Sequence, residues 1–224
     1  MKETTANVKE ILAHSVLFKM LDERQLDEIA ANTYSLRAGP NMRIVKPGDA
    51  GEGTFWIAYG QVKIYFYPQK GCEKTVEILG DGTCFGVGEM LSGKPHLAYV
   101  KTTTDCLVLH INRDSMLQVA QESFGFSREL MSCAGRQFHG LMRDIERYSQ
   151  TSRQRLAGYL LKQRRNAVGE QIELVANRSL ISSLLWFTPE TLSRLFHDFS
   201  EEGLIEVSGR HVKILDCEKM SSLI

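Results

Sequence analysis

Glu190, Ser193 and Arg194 lie in the stretch Thr188 to Arg210, TPETLSRLFHDFSEEGLIEVSGR, at relative positions i, i+3 and i+4. On a helix that spacing puts all three on one face. Arginine presents paired donors that match guanine O6 and N7, glutamate accepts from cytosine N4 or adenine N6, and serine reaches a base edge or a phosphate. The chemistry this triplet suits is recognition of a base-pair edge, with no bond made or broken. Nearby polar groups suit the backbone of the same duplex: Arg178, Thr188, His197 and Arg210 would hold phosphates and set register without reading sequence.

The surrounding residues explain how such a face would be presented. Thr188 can cap a helix, Pro189 suits its first position, and Glu190 sits where the helix dipole favours an anion. Leu192, Leu195, Phe196 and Phe199 fall on the opposite face and predict a core contact. A helix over 179–185, a break at WFT, a helix over 189–202 and a strand pair around Ser208-Gly209 together spell a winged helix-turn-helix, with EQIELVAN supplying one more short strand.

Upstream the texture differs. Residues 8 to 34 carry apolar positions at helical spacing and read as short covering helices. From Tyr34 to about Ile111, runs such as GTFWIAYG, QVKIYFYP and KTVEILG are cut by glycines at 39, 48, 60, 71, 82 and 93. Turns at that interval predict an antiparallel β-roll or barrel of roughly eight strands. Asn112 or Asp114 could then cap a helix running over 114–148, in which Leu130, Ala134, Phe138, Leu141 and Ile145 recur at intervals of 3 and 4 and predict a seam with a second copy. The expected architecture is α+β: a sensing β-roll with its covering helices over 1–111, a dimerisation helix over 112–148, and a winged helix-turn-helix over 149–224.

Composition bounds the function. Twenty-seven basic residues balance 27 acidic ones in 224, with 43% hydrophobic content. A broadly basic nucleic-acid coat is therefore excluded, and any DNA contact must be focused. The N-terminus has no uninterrupted apolar run and no small-residue cleavage signal, so a cytoplasmic protein with no membrane partner is expected. The cysteines at 72, 84, 106, 133 and 217 are odd in number and never closer than 12 apart, which predicts buried packing in place of a disulfide framework or metal knuckle. A cupin-type enzyme would need a His-x-His pair, whereas the roll offers only His96 and His110, and no Gly-x-Ser-x-Gly elbow or P-loop is present. Catalysis is not expected.

Taken whole, the chain resembles the Crp-Fnr superfamily of bacterial transcription regulators. Two motifs carry the resemblance: GDGTCFGVGEMLSGKPHLAYV, similar to the family's effector-binding cassette, and PETLSR, similar to the Glu-x-x-Ser-Arg reading helix of its Fnr and Dnr branches. The resemblance implies a homodimer on a pseudo-palindromic TTGA-N6-TCAA type site, contact with RNA polymerase, and base reading by Glu190, Ser193 and Arg194. It also implies an effector pocket around Phe85, Gly86, Val87, Glu89, Met90, His96 and Leu97.

Two departures from the family pattern matter. Trp186 stands in the helix-turn-helix turn where a glycine is usual, which predicts a backbone there without positive φ. In the cassette, Phe85-Gly86 is followed by Val87 where the family's cyclic-nucleotide binders have Glu, and His96-Leu97 occupy the Arg-Ser positions. Losing a ribose acceptor and a phosphate clamp removes interactions worth about 1.5 to 3 kcal/mol each, so cAMP is not the expected effector. A loop re-registered onto Glu89 and Lys94, or a regulator without effector, are the alternatives.

An iron-sulfur sensor needs clustered N-terminal thiolates, and residues 1 to 71 contain none. The resemblance therefore points to the haem-dependent nitric oxide sensors, Dnr-like and HcpR-like. Candidate haem donors are His14, His96, His110 and His139, with Cys84 and Cys106 behind them. His96 stands out because it replaces the phosphate-binding arginine in a cassette made more apolar by Val87 and Leu97.

Overall fold

A computed structural model describes residues 5–67, 73–147, 150–166, 171–174 and 178–224. Cys72 lies outside the described residues, as do the side chains of Leu141 and Ile145. The chain divides into one compact unit of Met1–Phe66 with Val76–Leu141, and another of Tyr67–Thr75 with Met142–Ile224.

In the first unit, α1 (Thr5–Ala13) and α2 (Glu23–Ala31) precede eight strands: β1 (Thr33–Ala38), β2 (Arg43–Val45), β3 (Gly53–Tyr59), β4 (Val62–Phe66), β5 (Lys74–Leu79), β6 (Cys84–Phe85), β7 (Tyr99–Thr102) and β8 (Cys106–Asn112). They form two four-stranded antiparallel sheets, in the orders β1-β8-β3-β6 and β2-β7-β4-β5, so the roll is two sheets and not one closed barrel. Strand β3 shows why the sheets pack as they do. Alternate side chains point to opposite faces: Phe55 and Ile57 join Val45, Phe85, Val100 and Val108 between the sheets, whereas Trp56 joins a second core formed with the helices.

Between β6 and β7, α3 (Val87–Ser92) is bounded by Gly86 at φ 81 and Gly93 at φ 66. Both values are left-handed, a conformation that glycine adopts without penalty.

The expected single helix over 114–148 is two helices, α4 (Arg113–Glu122) and α5 (Phe124–Arg147). Asn112 caps the first, its side chain accepting from the amides of Asp114 and Ser115. The break falls at Ser123, whose backbone is extended at φ −124 and ψ 104, and whose Oγ accepts from the Phe126 amide at 3.3 Å. A short polar side chain that captures a backbone N–H competes with helix continuation and starts a new one.

Of the expected seam, the described side chains divide: Leu130 and Ala134 face the chain's own core and Phe138 faces out, while those of Leu141 and Ile145 lie outside the described residues. Leu130 is buried, with Phe126 and Cys133, in the core shared with α1, α2 and β8, and Ala134 packs against that core. A side chain already sealed against its own roll has nothing left to give a second copy. Among the described side chains of α5, the exposed large apolar ones are Phe124, Met131 and Phe138, and of these Phe138 belongs to the expected set.

The second unit holds α6 (Ser152–Asn166), β9 (Gln171–Glu173), α7 (Arg178–Leu185), α8 (Pro189–Glu201), β10 (Ile205–Ser208), β11 (His211–Ile214) and α9 (Cys217–Ser221). The strands form one antiparallel sheet in the order β10-β11-β9, with Gly209 at φ 60 in the hairpin. Leu156, Leu160, Ile181, Leu192, Phe199 and Val212 are fully buried at its centre. Among the described residues, no helix is long and apolar enough to cross a membrane.

Candidate DNA-reading helix and effector cavity

Helix α8 starts as its sequence predicts. The Thr188 hydroxyl accepts from the Thr191 amide at 3.2 Å, and Pro189 occupies the first turn. Leu192, Leu195, Phe196 and Phe199 are buried, whereas Glu190, Ser193, Arg194 and His197 are exposed. The backbone amide of Glu190 and then the Thr188 hydroxyl hold the Glu190 carboxyl below the usual carboxylate range, which keeps it ionised as an acceptor.

The other expected backbone contacts have structural ties of their own. Arg178 opens α7 with its guanidinium 5.5 Å from the centre of the Phe196 ring, and Arg210, in the exposed hairpin turn, reaches the Leu174 carbonyl at 3.5 Å. Arg178, Thr188, His197 and Arg210 are all exposed.

The turn between α7 and α8 corrects the expectation for Trp186. Its φ is 62, in the left-handed region. The amide of Phe187 donates to the Ser182 carbonyl at 2.8 Å, and that of Trp186 to Ser183 at 3.3 Å. This pair of bonds is the Schellman ending, which requires a left-handed residue just past the helix. Helix α8 ends identically: Gly203 at φ 67, with Leu204 bonded to Phe199 at 2.9 Å and Gly203 to Ser200 at 3.0 Å. Trp186 thus takes the conformation of the glycine it replaces. Phe187 is buried beneath the Arg155 guanidinium, 5.0 Å from the ring centre, and anchors the residue that follows.

Within the β-roll a cavity of about 460 Å³ opens beside the cassette. Its lining includes Tyr34, Asp49, Glu52, Phe55, His96 and His110. Cross-strand register builds the aromatic wall, because Tyr34 and Phe55 both pair with His110. The Tyr34 and His110 rings stack at 4.6 Å, and Phe55 meets His110 edge-on at 4.5 Å. Gly53 makes room for that imidazole, since a Cβ there would lie 2.6 Å from His110 Cε1. Burial pushes the His110 pKa down, Glu52 pulls it up, and His96 adds to the depression.

His96 is buried and pinned by its backbone, its amide donating to Asp49 O at 2.8 Å and its carbonyl accepting from Gly48 at 2.9 Å. Its Nδ1 lies 3.8 Å from Glu89 Oε1, so Glu89 reaches the site through His96. The remaining cassette residues are dispersed. Phe85 stacks on Phe55 at 4.7 Å, whereas Val87 and Met90 point into the core shared with the helices. Leu97 is 83% exposed. The expected apolar lining by Val87 and Leu97 is therefore replaced by a wall that is part aromatic and part acidic. Among the described residues no lysine or arginine lines the cavity, and Lys94 is exposed.

Of the other haem-donor candidates, His14 is exposed and its Nδ1 donates to the Glu10 carbonyl at 2.8 Å, and His139 is exposed on α5. The Cys106 thiol donates to the Gln61 carbonyl at 3.2 Å. Cys84 faces Cys133. Only His96 and His110 among them meet at the cavity.

Tyr34, Asp49, Glu52 and Phe55 were missed by sequence reasoning. The one available signal was the alternation of β3 opposite a histidine strand.

Residues 36–123 match the cyclic nucleotide-binding domain family, and residues 154–223 match the Crp-like helix-turn-helix domain family. The probable transcriptional regulator flp of Lacticaseibacillus casei is 27% identical over 215 residues, covering 93% of this chain and 98% of that protein. Among solved structures, FixK2 from Bradyrhizobium japonicum has a TM-score of 0.73 at 22% identity, over 85% of this chain and 96% of that one. DNR from Pseudomonas aeruginosa has a TM-score of 0.52 at 24% identity, over the full length of both. These two likenesses concern the fold alone.

Proposed function

Since the chain belongs to the Crp-Fnr family of DNA-binding transcription regulators, we propose that it acts as a homodimer whose two α8 helices read a TTGA-N6-TCAA type palindrome, switched by an effector in the β-roll. It is a regulator and not an enzyme, as its relatives are. The exposed Glu190, Ser193 and Arg194 face, opposite the buried Leu192, Leu195 and Phe196, is the observation that carries the reading. Arg178, Thr188, His197 and Arg210 would hold phosphates, and RNA polymerase is the protein partner that the family implies.

The dimer surface is reassigned to the α5 face of Phe124, Met131 and Phe138. These residues stand seven apart and stay exposed, which is the repeat of a coiled-coil seam.

The effector reading is haem, and through it nitric oxide, in the control of nitrosative-stress or anaerobic respiration genes. Support comes from the cavity's donors. His96 and His110 supply two imidazoles among aromatic rings, and the depressed pKa of His110 keeps its nitrogen lone pair free for a metal near neutral pH. When bound, haem iron supplies the site that a diatomic gas occupies. The chain's own residues do the rest: Tyr34 and Phe55 orient His110, and the backbone bonds of residues 48 and 49 fix His96. Two hydrogen bonds could carry a change at the cavity to the helices, Arg113 Nε to Met90 O at 2.8 Å and Gln137 Nε2 to Cys84 O at 3.1 Å. The reading helices would then match major grooves about 34 Å apart.

A cyclic nucleotide is disfavoured, because its phosphate would be enclosed beside Asp49 and Glu52 with no lysine or arginine among the described lining residues, whereas haem would need to leave its two propionates at the open mouth of the cavity. Anaerobic titration of the purified protein with haem, followed by the Soret band and then by nitric oxide, tests the reading. One equivalent per subunit is expected, weakened in His96→Ala or His110→Ala. A spectrum no different from free haem would remove haem and leave the DNA reading standing.

A further inference from the structure

Cys84 and Cys133 are 49 positions apart in sequence, yet their Sγ atoms lie 2.8 Å apart. Both are buried free thiols. Cys84 begins β6, two residues before the left-handed Gly86 that turns the chain into α3, and Cys133 lies on the inward face of α5. One turn along the same helix, Gln137 donates to the carbonyl of Cys84. Two contacts therefore join this strand to one stretch of helix. The sulfur separation exceeds that of a covalent S–S bond by only about 0.8 Å.

We propose that Cys84 and Cys133 form a reversible thiol–disulfide pair, oxidised by a hydroperoxide and reduced by a thiol reductant, that locks the strand leading into the effector cassette onto α5. The inference does not depend on which effector the cavity takes.

The two thiols are not equivalent. The hydrogen bond with Cys84 holds the Cys133 thiol down to about 7, with help from the Arg136 guanidinium and against burial and Glu77. The same contact, with burial, pushes Cys84 up. A thiolate is the nucleophile in this chemistry, so Cys133 attacks first and Cys84 resolves.

In the first step Cys133 Sγ attacks one peroxide oxygen and an S–O bond forms. The O–O bond breaks, and the departing hydroxide takes a proton to become water. Cys133 is now a sulfenic acid, oxidised by two electrons at the expense of the peroxide. Cys84 then attacks Cys133 Sγ, the S–S bond forms, the S–O bond breaks, and the hydroxide leaves as water with the Cys84 proton. The sum is two thiols and one hydrogen peroxide giving one disulfide and two waters. Two equivalents of an external thiol return the electrons and restore both S–H groups.

The test uses the full chain, reduced, desalted and exposed to one equivalent of hydrogen peroxide, then alkylated and digested without reductant for peptide mass spectrometry. A cross-linked peptide carrying Cys84 and Cys133 is expected, two hydrogens lighter than the sum of its parts and released by dithiothreitol. It should be absent from Cys84→Ala and Cys133→Ala, and form faster as the pH rises through about 7. The wild-type mapping needs no variant and stands even if a variant fails to fold. Recovery of both cysteines alkylated, cross-linking through Cys106 or Cys217 instead, or oxidation that stops at a sulfinic acid would overturn the proposal.

Discussion

Leu130 and Met131 are neighbours in sequence on α5 and opposites in environment, Leu130 being 2% exposed and Met131 60%. A helix turns about 100° per residue, so adjacent residues belong to different stripes. Phe124 and Phe138, seven residues either side of Met131, are 79% and 60% exposed. Met131→Asp or Phe138→Glu should therefore convert a dimer to a monomer in sedimentation velocity at micromolar concentration and leave the roll folded. Leu130→Ala should instead lower unfolding stability by about 2 to 5 kcal/mol, as truncation of a buried leucine does, without weakening the association of the folded protein.

The exposed triplet of α8 separates reading from holding. Arg194→Ala should lose about 1 to 3 kcal/mol, or roughly 5- to 150-fold, for each half-site of a TTGA-N6-TCAA duplex, and bind a scrambled duplex as before. Arg210→Ala should weaken both duplexes alike and reduce the salt slope by about one phosphate contact per half-site. Fluorescence anisotropy on the two duplexes at several salt concentrations decides. Equal losses on both for Arg194→Ala would place it among the phosphate contacts.

Trp186 at φ 62 and Gly203 at φ 67 end consecutive helices with the same hydrogen-bond pattern. A left-handed conformation costs a residue with a Cβ about 1 to 2 kcal/mol, and glycine almost nothing. Trp186→Gly and Trp186→Ala lose the same indole, so their difference isolates the backbone. Urea unfolding should find Trp186→Gly the more stable by about 1 kcal/mol, and no difference would mean that the turn relaxes to negative φ in the alanine variant.

What was legible beforehand follows the range of the interactions involved. Helix α8 is specified within a few residues by the Thr188 cap, by Pro189 and by the spacing of Leu192, Leu195, Phe196 and Phe199, all of them local signals. The cavity has no such signal. His110 meets Tyr34 and Phe55 only because β1 and β3 flank β8 in a common register, and non-local pairing leaves no local trace. The seam over α5 was half legible. Periodicity announced one apolar stripe, but whether its own roll or a second copy would cover each part of it depends on α1 and α2, far away in the chain. Cys84 and Cys133 looked like isolated packing for the same reason.

His110 gives the roll a pH dependence of known sign. Burial lowers its pKa below the ordinary 6.5, so the unfolded chain binds more protons than the folded one between the two values. Stability then rises with pH across that window, and is lost as pH falls from about 6.5 through the folded pKa, by at most about 1.4 kcal/mol per pH unit for one proton. The useful quantity is the difference between wild type and His110→Gln, which keeps a polar planar side chain but cannot gain the charge. Urea unfolding at a series of pH values between about 7.5 and 5 should show the wild type losing stability relative to the variant on acidification. Parallel curves would mean that Glu52, which acts in the opposite direction, offsets the burial of the imidazole. The lone pair proposed for an iron would then be protonated near pH 6.5, and haem loading at pH 6 should fall in step.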